Sequence, residues 1–460
     1  SSWRDGKDKY KMTKNADGNW ELKITPNIYA YYGVPESTEV TQLCFVFNDG
    51  PSGNLEGKAD GNADIFVDLA EAGLAAVITN TIPEISSVGD VIDLKCQSTQ
   101  EAKLQLYINN QLVKEGEGTE LVYNYTLSQG GDYQFQFVAQ AGEEKSTATA
   151  FTCVASVPEL EARPAGVDMG IYYDANDPTK VTLCTYAASK LAAAKHVFVV
   201  GDFNNWQISE EYQLKQDGNY FWIELTGLTP QKEYAMQYVV VRSDGVVKRI
   251  SDLFSEKVVH SDDQWEPMTV DPTLMPYPQE ADGYATVIQT GKPAFQWSDA
   301  TLNFKRPNKN NLVIYELWVY DHTQFRSIEG LMDRLQYFED MGVNAIELMP
   351  VTEFDGNENW GYSPNHYFAL DKAYGTPEQM KTFVDECHKR GIAVILDMVF
   401  NHSTGLNPMN KLYPYGDDLK YNPWFNVTAP HPDNVYEDWN HDFAPAKKMM
   451  IRALNYWLTE

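Results

Sequence analysis

The feature that most constrains the fold is a change of pattern at about residue 305, where apolar strand-like runs begin to alternate with amphipathic helix-like runs. The apolar runs show little polar alternation, as in strands that are buried on both faces of a parallel sheet. Strands that alternate with helices predict βα units. The predicted strands are 311–319, 343–351 and 392–399, and the predicted helices are 327–342, 376–391 and 444–460.

The chain before this point predicts β-structure. Short alternating runs such as "LCFVF" and "YFWIELTGL" are separated by turn signals such as "NADGNW" and "NDGPSGN". Strand-like runs about ten residues apart between 84 and 155 are typical of an immunoglobulin-like sandwich. We therefore expect a multi-domain chain of N-terminal all-β sandwiches followed by a βα domain. The predicted domains are 1–75 (β-sandwich), 76–156 (immunoglobulin-like β-sandwich), 157–290 (β-sandwich) and 291–460 (βα domain).

The third predicted parallel strand ends in residues that can do chemistry. In "AVILDMVFNHSTG", Asp397, Asn401 and His402 follow an apolar run. A buried carboxylate without a partner is unfavourable, so this end of the strand must be polar and organised. The carboxyl ends of parallel strands form the ligand-binding edge of βα folds. Two interpretations stay open from these residues alone: they line a ligand site, or Asp397 caps a loop and His402 is a surface histidine.

The charge balance narrows the classes of partner. With 36 Lys and Arg against 65 Asp and Glu, the net charge of −29 argues against nucleic acid or an anionic membrane. The sequence contains no apolar run of about 18 residues, so no transmembrane segment is predicted. The five cysteines lack the paired spacing of a zinc site, although Cys96 and Cys153 lie on neighbouring predicted strands and could pair.

Motifs in the βα part resemble a known family. "NWGYSPNHYFALDKAYGT" (359–376), followed after a helix by "GIAVILDMVFNHS", closely resembles glycoside hydrolase family 13, the alpha-amylase superfamily, and the resemblance covers about 305–460. It implies that the chain holds the first part of a (β/α)8 TIM barrel that cleaves or transfers α-glucosidic bonds with retention. It also implies that His402 hydrogen-bonds the sugar, that Tyr362 stacks beneath the sugar ring, and that Asp397 pairs with an arginine on the next strand.

The same resemblance gives expectations for metal and catalytic groups. Asn401 matches a residue that ligates calcium in many members, with Asp438 as a weaker second ligand, so a structural Ca²⁺ is a candidate although no cofactor is required. The family's nucleophilic aspartate and acid glutamate follow strands four and five, and we expect them beyond Glu460, so that the chain alone would be inert. The other rim carboxylates do not match catalytic positions and are expected to be structural or peripheral: Glu316, Glu347 and Glu353.

A second resemblance lies in the third β-domain. "VFVVGDFNNWQ" (197–207) resembles carbohydrate-binding module family 48, in whose glycogen-binding members the tryptophan matching Trp206 stacks on glucose. The second tryptophan of that platform is replaced here by Val247. A rigid spacer is therefore the favoured interpretation, with sugar binding by Trp206 as the alternative. The N-terminal domain, with Trp3 and Trp20 beside polar turns, is a candidate starch-binding module.

The implied function is a glycoside hydrolase that acts on starch, glycogen or pullulan-type α-glucans, secreted or located at a bacterial cell surface or in the periplasm. The "NWGYSP" form and the preceding module favour α-1,6 debranching of the pullulanase type, with an α-1,4 amylase close behind. Two alternatives stay open. One is a glucan branching transferase, which passes the glycosyl unit to a sugar hydroxyl, and the other is a non-catalytic starch-binding protein.

Overall fold

The chain divides into two compact units, residues 1–154 and 155–460. Among the described residues, no helix is both long and apolar enough to cross a membrane. Most of the sandwich predicted for 1–75 lies outside the described residues, as do Trp3 and the side chain of Trp20. The computed structural model describes 73–459 except 190, 265–270, 323, 415–419 and 434, and before these 12–14, 20–22, 24–25, 28–32, 40, 42–45, 47–48, 56–57 and 65–68.

The first unit is built mainly on two long strands that form a hairpin. The hairpin turns at Asn109 and Asn110, whose φ angles of 48° and 64° are those that a two-residue hairpin turn requires. The elements of this unit are β1 (Thr13–Lys14), β2 (Trp20–Glu21), α1 (Ile28–Tyr32), β3 (Gln42–Phe45), β4 (Phe47–Asn48), β5 (Glu56–Gly57), β6 (Ile65–Asp68), β7 (Ala76–Ile78), β8 (Ile85–Ser86), β9 (Val91–Ile108), β10 (Gln111–Thr126), β11 (Gly131–Ala141) and β12 (Glu144–Val154).

The strands after β6 form one hydrogen-bonded sheet in the described residues and share one hydrophobic core, while the immunoglobulin-like arrangement stays a prediction. Its order is β10-β9-β11-β12-β8, and β7 pairs with the first half of β9 while β11 pairs with the second half. Register shifts in β10, one beside Leu112 and one beside Gly118, change the local twist and bend the hairpin. The suggested pair Cys96 and Cys153 is not a disulfide, since both are buried free thiols.

The second unit begins with a two-sheet antiparallel sandwich, as predicted for 157–290. One sheet has the order β13-β14-β17-β16, and the other has the order β15-β18-β21-β20 with β19 paired to β18. Short 3-10 turns lie at Glu210–Tyr212 and Ser261–Gln264. The strands are β13 (Gly170–Tyr173), β14 (Val181–Tyr186), β15 (Ala194–Gly201), β16 (Lys215–Asp217), β17 (Tyr220–Leu225), β18 (Glu233–Arg242), β19 (Val247–Ile250), β20 (Val258–Val259) and β21 (Ala285–Gln289).

The predicted alternation of strands and helices follows the sandwich. Strands β22, β23 and β26 form a parallel sheet in that order, which confirms the βα units, while closure into an eight-stranded barrel stays a prediction. The predicted helix 327–342 is divided into two short helices, α4 and α5. The elements are α2 (Asp299–Leu302), β22 (Ile314–Leu317), α3 (Val319–His322), α4 (Ile328–Met332), α5 (Leu335–Asp340), β23 (Ala345–Leu348), β24 (Thr352–Phe354), β25 (Pro364–Leu370), α6 (Pro377–Lys389), β26 (Ala393–Leu396), β27 (His402–Ser403), α7 (Pro408–Leu412), β28 (Glu437–Asp438) and α8 (Ala444–Thr459), with a 3-10 turn at Lys309–Asn311.

Helix α6 shows why this part of the sequence folds as it does. Thr376 and Gln379 form a reciprocal capping box, and Pro377 stands at the first helical position, where its missing N–H has no helical acceptor to lose. Gly391 follows the helix with a φ of 72°, a conformation that ends helices and that glycine adopts without strain. These signals fix where β26 starts and therefore where its carboxyl end lies.

The sandwich and the βα segment share one hydrophobic core. Buried residues of both contribute to it, from Tyr238 in the sandwich to Trp424 and Trp439 in the βα segment. Polar contacts add to the packing: the Arg242 guanidinium donates to the Leu412 carbonyl at 3.1 Å, and the Tyr413 hydroxyl donates to the Ala192 carbonyl at 2.7 Å. This shared core supports the interpretation of the sandwich as a rigid spacer.

Candidate active site

The candidate site lies at the carboxyl ends of the parallel strands. Asp397 directly follows β26, and its backbone N–H donates to the Leu348 carbonyl at the end of β23 over 3.0 Å. Register pairs Glu316 of β22 with Glu347 of β23 and pairs Glu347 with Ile395 of β26. Because strand side chains alternate between faces, Asp397 shares a sheet face with Ile395 and with both glutamates.

Three side chains predicted from the sequence meet at this edge, and we call them the rim cluster: Tyr362, Asp397 and His402. The Tyr362 hydroxyl donates to Asp397 Oδ2 at 2.8 Å. The His402 Nε2 lies 2.8 Å from the Tyr362 carbonyl oxygen, and since a carbonyl can only accept, Nε2 carries the proton. Within the described residues, the buried His402 Nδ1 has no hydrogen-bond partner. The interpretation of these residues as an isolated loop cap is therefore disfavoured.

The phenol of Tyr362 stays protonated in this setting. Burial raises its pKa, and the hydrogen bond to Asp397 and the negative charges of Asp397, Glu316 and Glu347 raise it further, to about 12. Tyr362 nevertheless keeps 36% of its surface exposed. It therefore presents a neutral hydroxyl and a partly open ring to any ligand at this edge.

The loop that carries Tyr362 is held by side chains from two other elements. The Trp318 Nε1 donates to the Asn359 carbonyl at 3.0 Å and to the Tyr374 hydroxyl at 2.9 Å. The Asn359 side chain in turn accepts the Gly361 N–H at 2.9 Å. Gly361 has a φ of 92°, and a Cβ there would collide with the Pro350 carbonyl, so glycine is the residue that fits.

His402 is fixed by the pairing of β27 with β28. In this pair His402 lies opposite Asp438, and the Tyr367 hydroxyl donates to the His402 carbonyl at 2.7 Å. The Tyr436 ring lies over the imidazole, with centroids 5.6 Å apart and planes 30° apart. Tyr436 has a φ of 50°, which is uncommon for a bulky residue and is typical of functional or strained positions.

The calcium expectation finds weak support in the donors present. Asp438 is buried, and its two oxygens already accept from His431 Nε2 at 2.8 Å and Asn426 Nδ2 at 2.6 Å. Asn401 is exposed, and its backbone carbonyl accepts from Trp439. Ca²⁺ takes about six to eight oxygen ligands. Among the described residues, no group of three or more His, Cys, Asp or Glu could hold a metal. Asp438 and Asn401 therefore offer no ready set of free oxygen ligands, and calcium binding stays a prediction.

Trp206 differs from the open platform expected of a sugar-stacking residue. Only 7% of its surface is exposed, and its Nε1 donates to Asp202 Oδ1 at 2.9 Å. The ring borders a cavity of about 340 Å³ that is also lined by Tyr277 and the prolines on either side of it. Val247, at the place of the second platform tryptophan, is exposed. Because a glucose ring stacks on an open aromatic face, this arrangement corrects the Trp206 expectation and favours the spacer.

Sequence reasoning missed two exposed aromatic residues beside the rim cluster. Tyr436 was hidden because its backbone conformation and its position over His402 depend on strand pairing between distant segments. Trp360 stands inside the "NWGY" motif, so its proximity to Tyr362 could have flagged it. Glu353 is buried in an ion pair with Lys372, which agrees with the structural role expected for it.

Two known sequence families match this chain, one in the sandwich and one in the parallel βα units that carry the rim cluster. The alpha-amylase catalytic domain matches residues 302–457, and carbohydrate-binding module 48, the isoamylase N-terminal domain, matches residues 168–255. Both resemblances drawn from the sequence are thereby confirmed: residues 302–457 are similar to the alpha-amylase catalytic domain, and residues 168–255 are similar to carbohydrate-binding module 48.

The alignments with individual relatives cover only part of this chain and part of each relative. Malto-oligosyltrehalose trehalohydrolase of Saccharolobus solfataricus is 33% identical over 227 residues, 48% of this chain and 36% of the relative. The 1,4-alpha-glucan branching enzyme GlgB of Nitrosomonas europaea is 30% identical over 282 residues, 58% of this chain and 34% of the relative. The crystal structure of apo pullulanase from Paenibacillus barengoltzii is 18% identical with a TM-score of 0.47, covering 63% of this chain and 47% of that one. The chain spans about a third of the length of these two curated relatives.

Proposed function

We propose that the protein carrying this chain cleaves α-glucosidic bonds of starch-type α-glucans as a retaining glycoside hydrolase. The observation that carries the proposal is the convergence of Tyr362, Asp397 and His402 through two hydrogen bonds of 2.8 Å. These residues lie inside the segment matched by the alpha-amylase catalytic domain.

Each member of the rim cluster has a physical role in this proposal. A glucosyl ring lies on the open part of Tyr362, because the apolar faces of sugar and phenol exclude water from each other. Asp397 fixes the tilt of the phenol by accepting its hydroxyl. His402 borders the same place, and a sugar hydroxyl that reached its buried Nδ1 would satisfy an acceptor otherwise left without a partner.

The reaction also needs two carboxyl groups on either side of the scissile bond, about 5 Å apart in a retaining enzyme. We still predict the nucleophilic aspartate and the acid glutamate beyond Glu460. Glu316 and Glu347 contribute negative charge near the Tyr362 hydroxyl instead. Such charge suits a site in which positive charge develops on the sugar.

The bond that is cleaved is the finer part of the proposal. The "NWGYSP" form and the family 48 module ahead of the catalytic segment favour α-1,6 debranching over α-1,4 cleavage. The trehalohydrolase relative adds a third activity to test, because its name specifies malto-oligosyltrehalose as the substrate. We also propose action outside the cytoplasm, since polymeric starch does not cross a membrane.

Product analysis with the complete protein tests these alternatives. On amylopectin, debranching should release linear chains with new reducing ends, whereas an α-1,4 amylase should release short malto-oligosaccharides. On malto-oligosyltrehalose, a trehalohydrolase should release trehalose. If neither amylopectin nor malto-oligosyltrehalose is altered although maltoheptaose binds, the protein is the non-catalytic binder and the proposal fails.

A branching transferase is the second candidate, because the match to the branching enzyme is the longer of the two alignments given above, at 282 residues against 227. Transfer uses the same retaining chemistry but passes the glycosyl unit to a sugar hydroxyl. Incubation with amylose separates the two candidates. Branching should reduce iodine staining without any rise in reducing ends. An α-1,4 hydrolase must reduce iodine staining and raise reducing ends together, and an α-1,6 debranching enzyme must leave amylose unchanged.

A further inference from the structure

Tyr436 is held in an unusual backbone conformation above the imidazole of His402. Its φ of 50° lies in a region that bulky residues rarely adopt. The side chain is half exposed, so burial of the tyrosine itself does not explain why this conformation is kept. Backbone strain of this kind persists where the surrounding structure fixes it, and it is concentrated at functional sites.

The segment that follows Tyr436 also holds the backbone of His402. Strand β28 begins directly after Tyr436 and pairs with β27, which begins at His402. The Trp439 backbone N–H donates to the Asn401 carbonyl at 3.0 Å, directly before His402. The Trp439 indole donates to the Tyr367 hydroxyl at 2.8 Å, and this hydroxyl donates to the His402 carbonyl at 2.7 Å. The position of the tyrosine over the imidazole therefore follows from the pairing of the two strands.

The imidazole needs a restraint on its face as well as on its edge. His402 Nε2 donates to the Tyr362 carbonyl at 2.8 Å. A hydrogen bond at one edge fixes one atom of the ring, but it leaves the ring free to pivot about that contact. The Tyr436 ring lies against the face, with centroids 5.6 Å apart and planes 30° apart, which is an offset-stacked arrangement. Edge and face contacts together fix the plane of the imidazole.

Tyr436 also lies between the imidazole and water. His402 keeps 6% of its surface exposed, whereas the tyrosine stacked on it keeps 49%, so Tyr436 forms the outer layer of the pair. A stacked ring face does not accept the hydrogen bonds that water would exchange with the imidazole nitrogens. A dry imidazole also interacts more strongly with charge that develops on a ligand, because the local dielectric constant is lower.

We propose that Tyr436 is a positioning residue that acts on the reaction through His402. It fixes the plane of the imidazole and shields it from water, and it makes no contact with the sugar. This inference rests on the proposed function of the rim cluster. It adds to that function a residue whose whole contribution depends on the presence of His402.

Steady-state kinetics of the complete protein test this role. Tyr436→Gly removes the ring, and glycine adopts a positive φ without strain, so the loop keeps its backbone. This variant should lower kcat by about ten-fold and leave KM within about two-fold, because the imidazole is misplaced while sugar contacts remain. Tyr436→Phe keeps the stacked face and should stay within about two-fold in kcat. Tyr337→Ala is the matched control, since Tyr337 is equally exposed but lies on α5.

A double-mutant cycle separates action through His402 from an independent effect. In the His402→Ala protein, Tyr436→Gly should lower kcat by less than about two-fold, because no imidazole is left to position. A further ten-fold loss in that protein would overturn the proposal. A raised KM with unchanged kcat in Tyr436→Gly alone would show a contact with the sugar and would also overturn it.

Chemical modification tests the shielding without any substrate. The rate at which diethyl pyrocarbonate modifies His402, followed by peptide mass spectrometry, should rise several-fold in Tyr436→Gly and stay unchanged in Tyr436→Phe. His441, which is already exposed, is the internal control and should react at one rate in all variants. Equal His402 rates in every variant would overturn the proposal and leave the proposed function standing. If the unaltered protein alters neither amylopectin, amylose nor malto-oligosyltrehalose, the proposed function and this inference fail together.

Discussion

The second unit contains two polar clusters in opposite surroundings. The rim cluster lies at an open edge of the parallel sheet beside exposed aromatic rings. The other, which we call the junction cluster, lies where the sandwich meets the βα segment and is almost wholly buried. The members of the junction cluster are Asp263, Tyr284, Glu353, Asp371 and Lys372.

The junction cluster is internally satisfied. Lys372 forms ion pairs with Glu353 and, at 3.1 Å, with Asp263. Asp371 accepts the backbone N–H groups of Phe354 and Ala373 at 3.0 and 2.8 Å. Burial acts to lower the pKa of Lys372, but the surrounding acids raise it well above its usual value. Opposite charges and hydrogen bonds therefore account for the polar groups, and no ligand is needed.

The rim cluster differs in having open aromatic surfaces. Tyr362 is partly exposed, Tyr436 beside it is 49% exposed, and the buried Nδ1 of His402 has no partner among the described residues. Both clusters are rich in polar side chains, so polarity alone does not distinguish a functional site. Exposure to solvent does distinguish them: a fully buried cluster stabilises the fold, whereas a partly exposed cluster remains available to a ligand.

The largest expected effect belongs to the junction cluster. Lys372→Met removes the only cation of the cluster named above and leaves Glu353 with a buried negative charge, so the free energy of unfolding should fall by about 3–5 kcal/mol. Urea denaturation followed by tryptophan fluorescence measures this change. Lys292→Met is the matched control, because its pair with Glu378 at 2.8 Å is exposed and should contribute less than about 1 kcal/mol. Equal losses in the two variants would contradict the distinction between closed and open polar groups.

The pH dependence of stability tests the buried surroundings of the junction through two titrating groups, His366 and Asp252. Burial, followed by the charges of Lys372 and His260, lowers the pKa of His366 to about 3. The unfolded chain binds a proton that the folded chain excludes, so the free energy of unfolding rises as pH rises from about 3 to 6.5. Asp252 acts in the opposite sense, because burial raises its pKa to about 6 and its folded state holds the extra proton between about pH 4 and 6.

Asp252→Asn should therefore steepen the rise of stability with pH. The opposing contribution that it removes is on the order of 3 kcal/mol between pH 4 and 6. Urea denaturation at a series of pH values from about 3.5 to 7 measures the slope. A slope in Asp252→Asn that is unchanged or shallower would contradict the burial of a titrating carboxyl in the sandwich.

Substitutions in the rim cluster should have the opposite balance of effects from those in the junction cluster: a large loss of activity and a small loss of stability. His402→Ala in the complete protein should lower turnover by about two orders of magnitude or more, because the imidazole borders the ring placed on Tyr362. Its melting temperature should change little. His441→Ala is the control, since His441 also lies with Nε2 2.8 Å from a backbone carbonyl, that of Phe400, but is exposed and outside the cluster. Near-normal turnover in His402→Ala would refute the assigned role.

The sequence predicted the elements that local patterns determine. The three parallel strands and the helix over 376–391 follow from apolar runs and turn signals, and the convergence of Tyr362, Asp397 and His402 follows from the order of the sequence motifs. The pairing of β9 with β7 along its first half and with β11 along its second half did not follow, because it depends on which distant strands meet each half.

The burial of Trp206 and the exposure of Trp360 were missed for a related reason. Trp206 is buried and hydrogen-bonded to Asp202, whereas the resemblance to family 48 implied a tryptophan that is open to sugar. Trp360 is exposed only because the ring stack beneath it is assembled from α3 and the loops on either side of it. Exposure is a property of tertiary packing, so a single sequence does not report it.

The smallest expected effect separates the two contributions of Tyr362. Tyr362→Phe keeps the ring that would face the sugar and removes only the hydroxyl that donates to Asp397 at 2.8 Å. Because Tyr362 is partly exposed and Asp397 can accept from water instead, the loss in stability should stay below about 1 kcal/mol. The loss in kcat/KM should be about ten-fold, which reflects a less constrained ring rather than a missing platform. Tyr362→Ala, which removes the platform as well, should lose at least another ten-fold. If Phe and Ala at this position lose activity equally, the hydroxyl bond alone carries the function, and the open ring no longer distinguishes the rim from the junction.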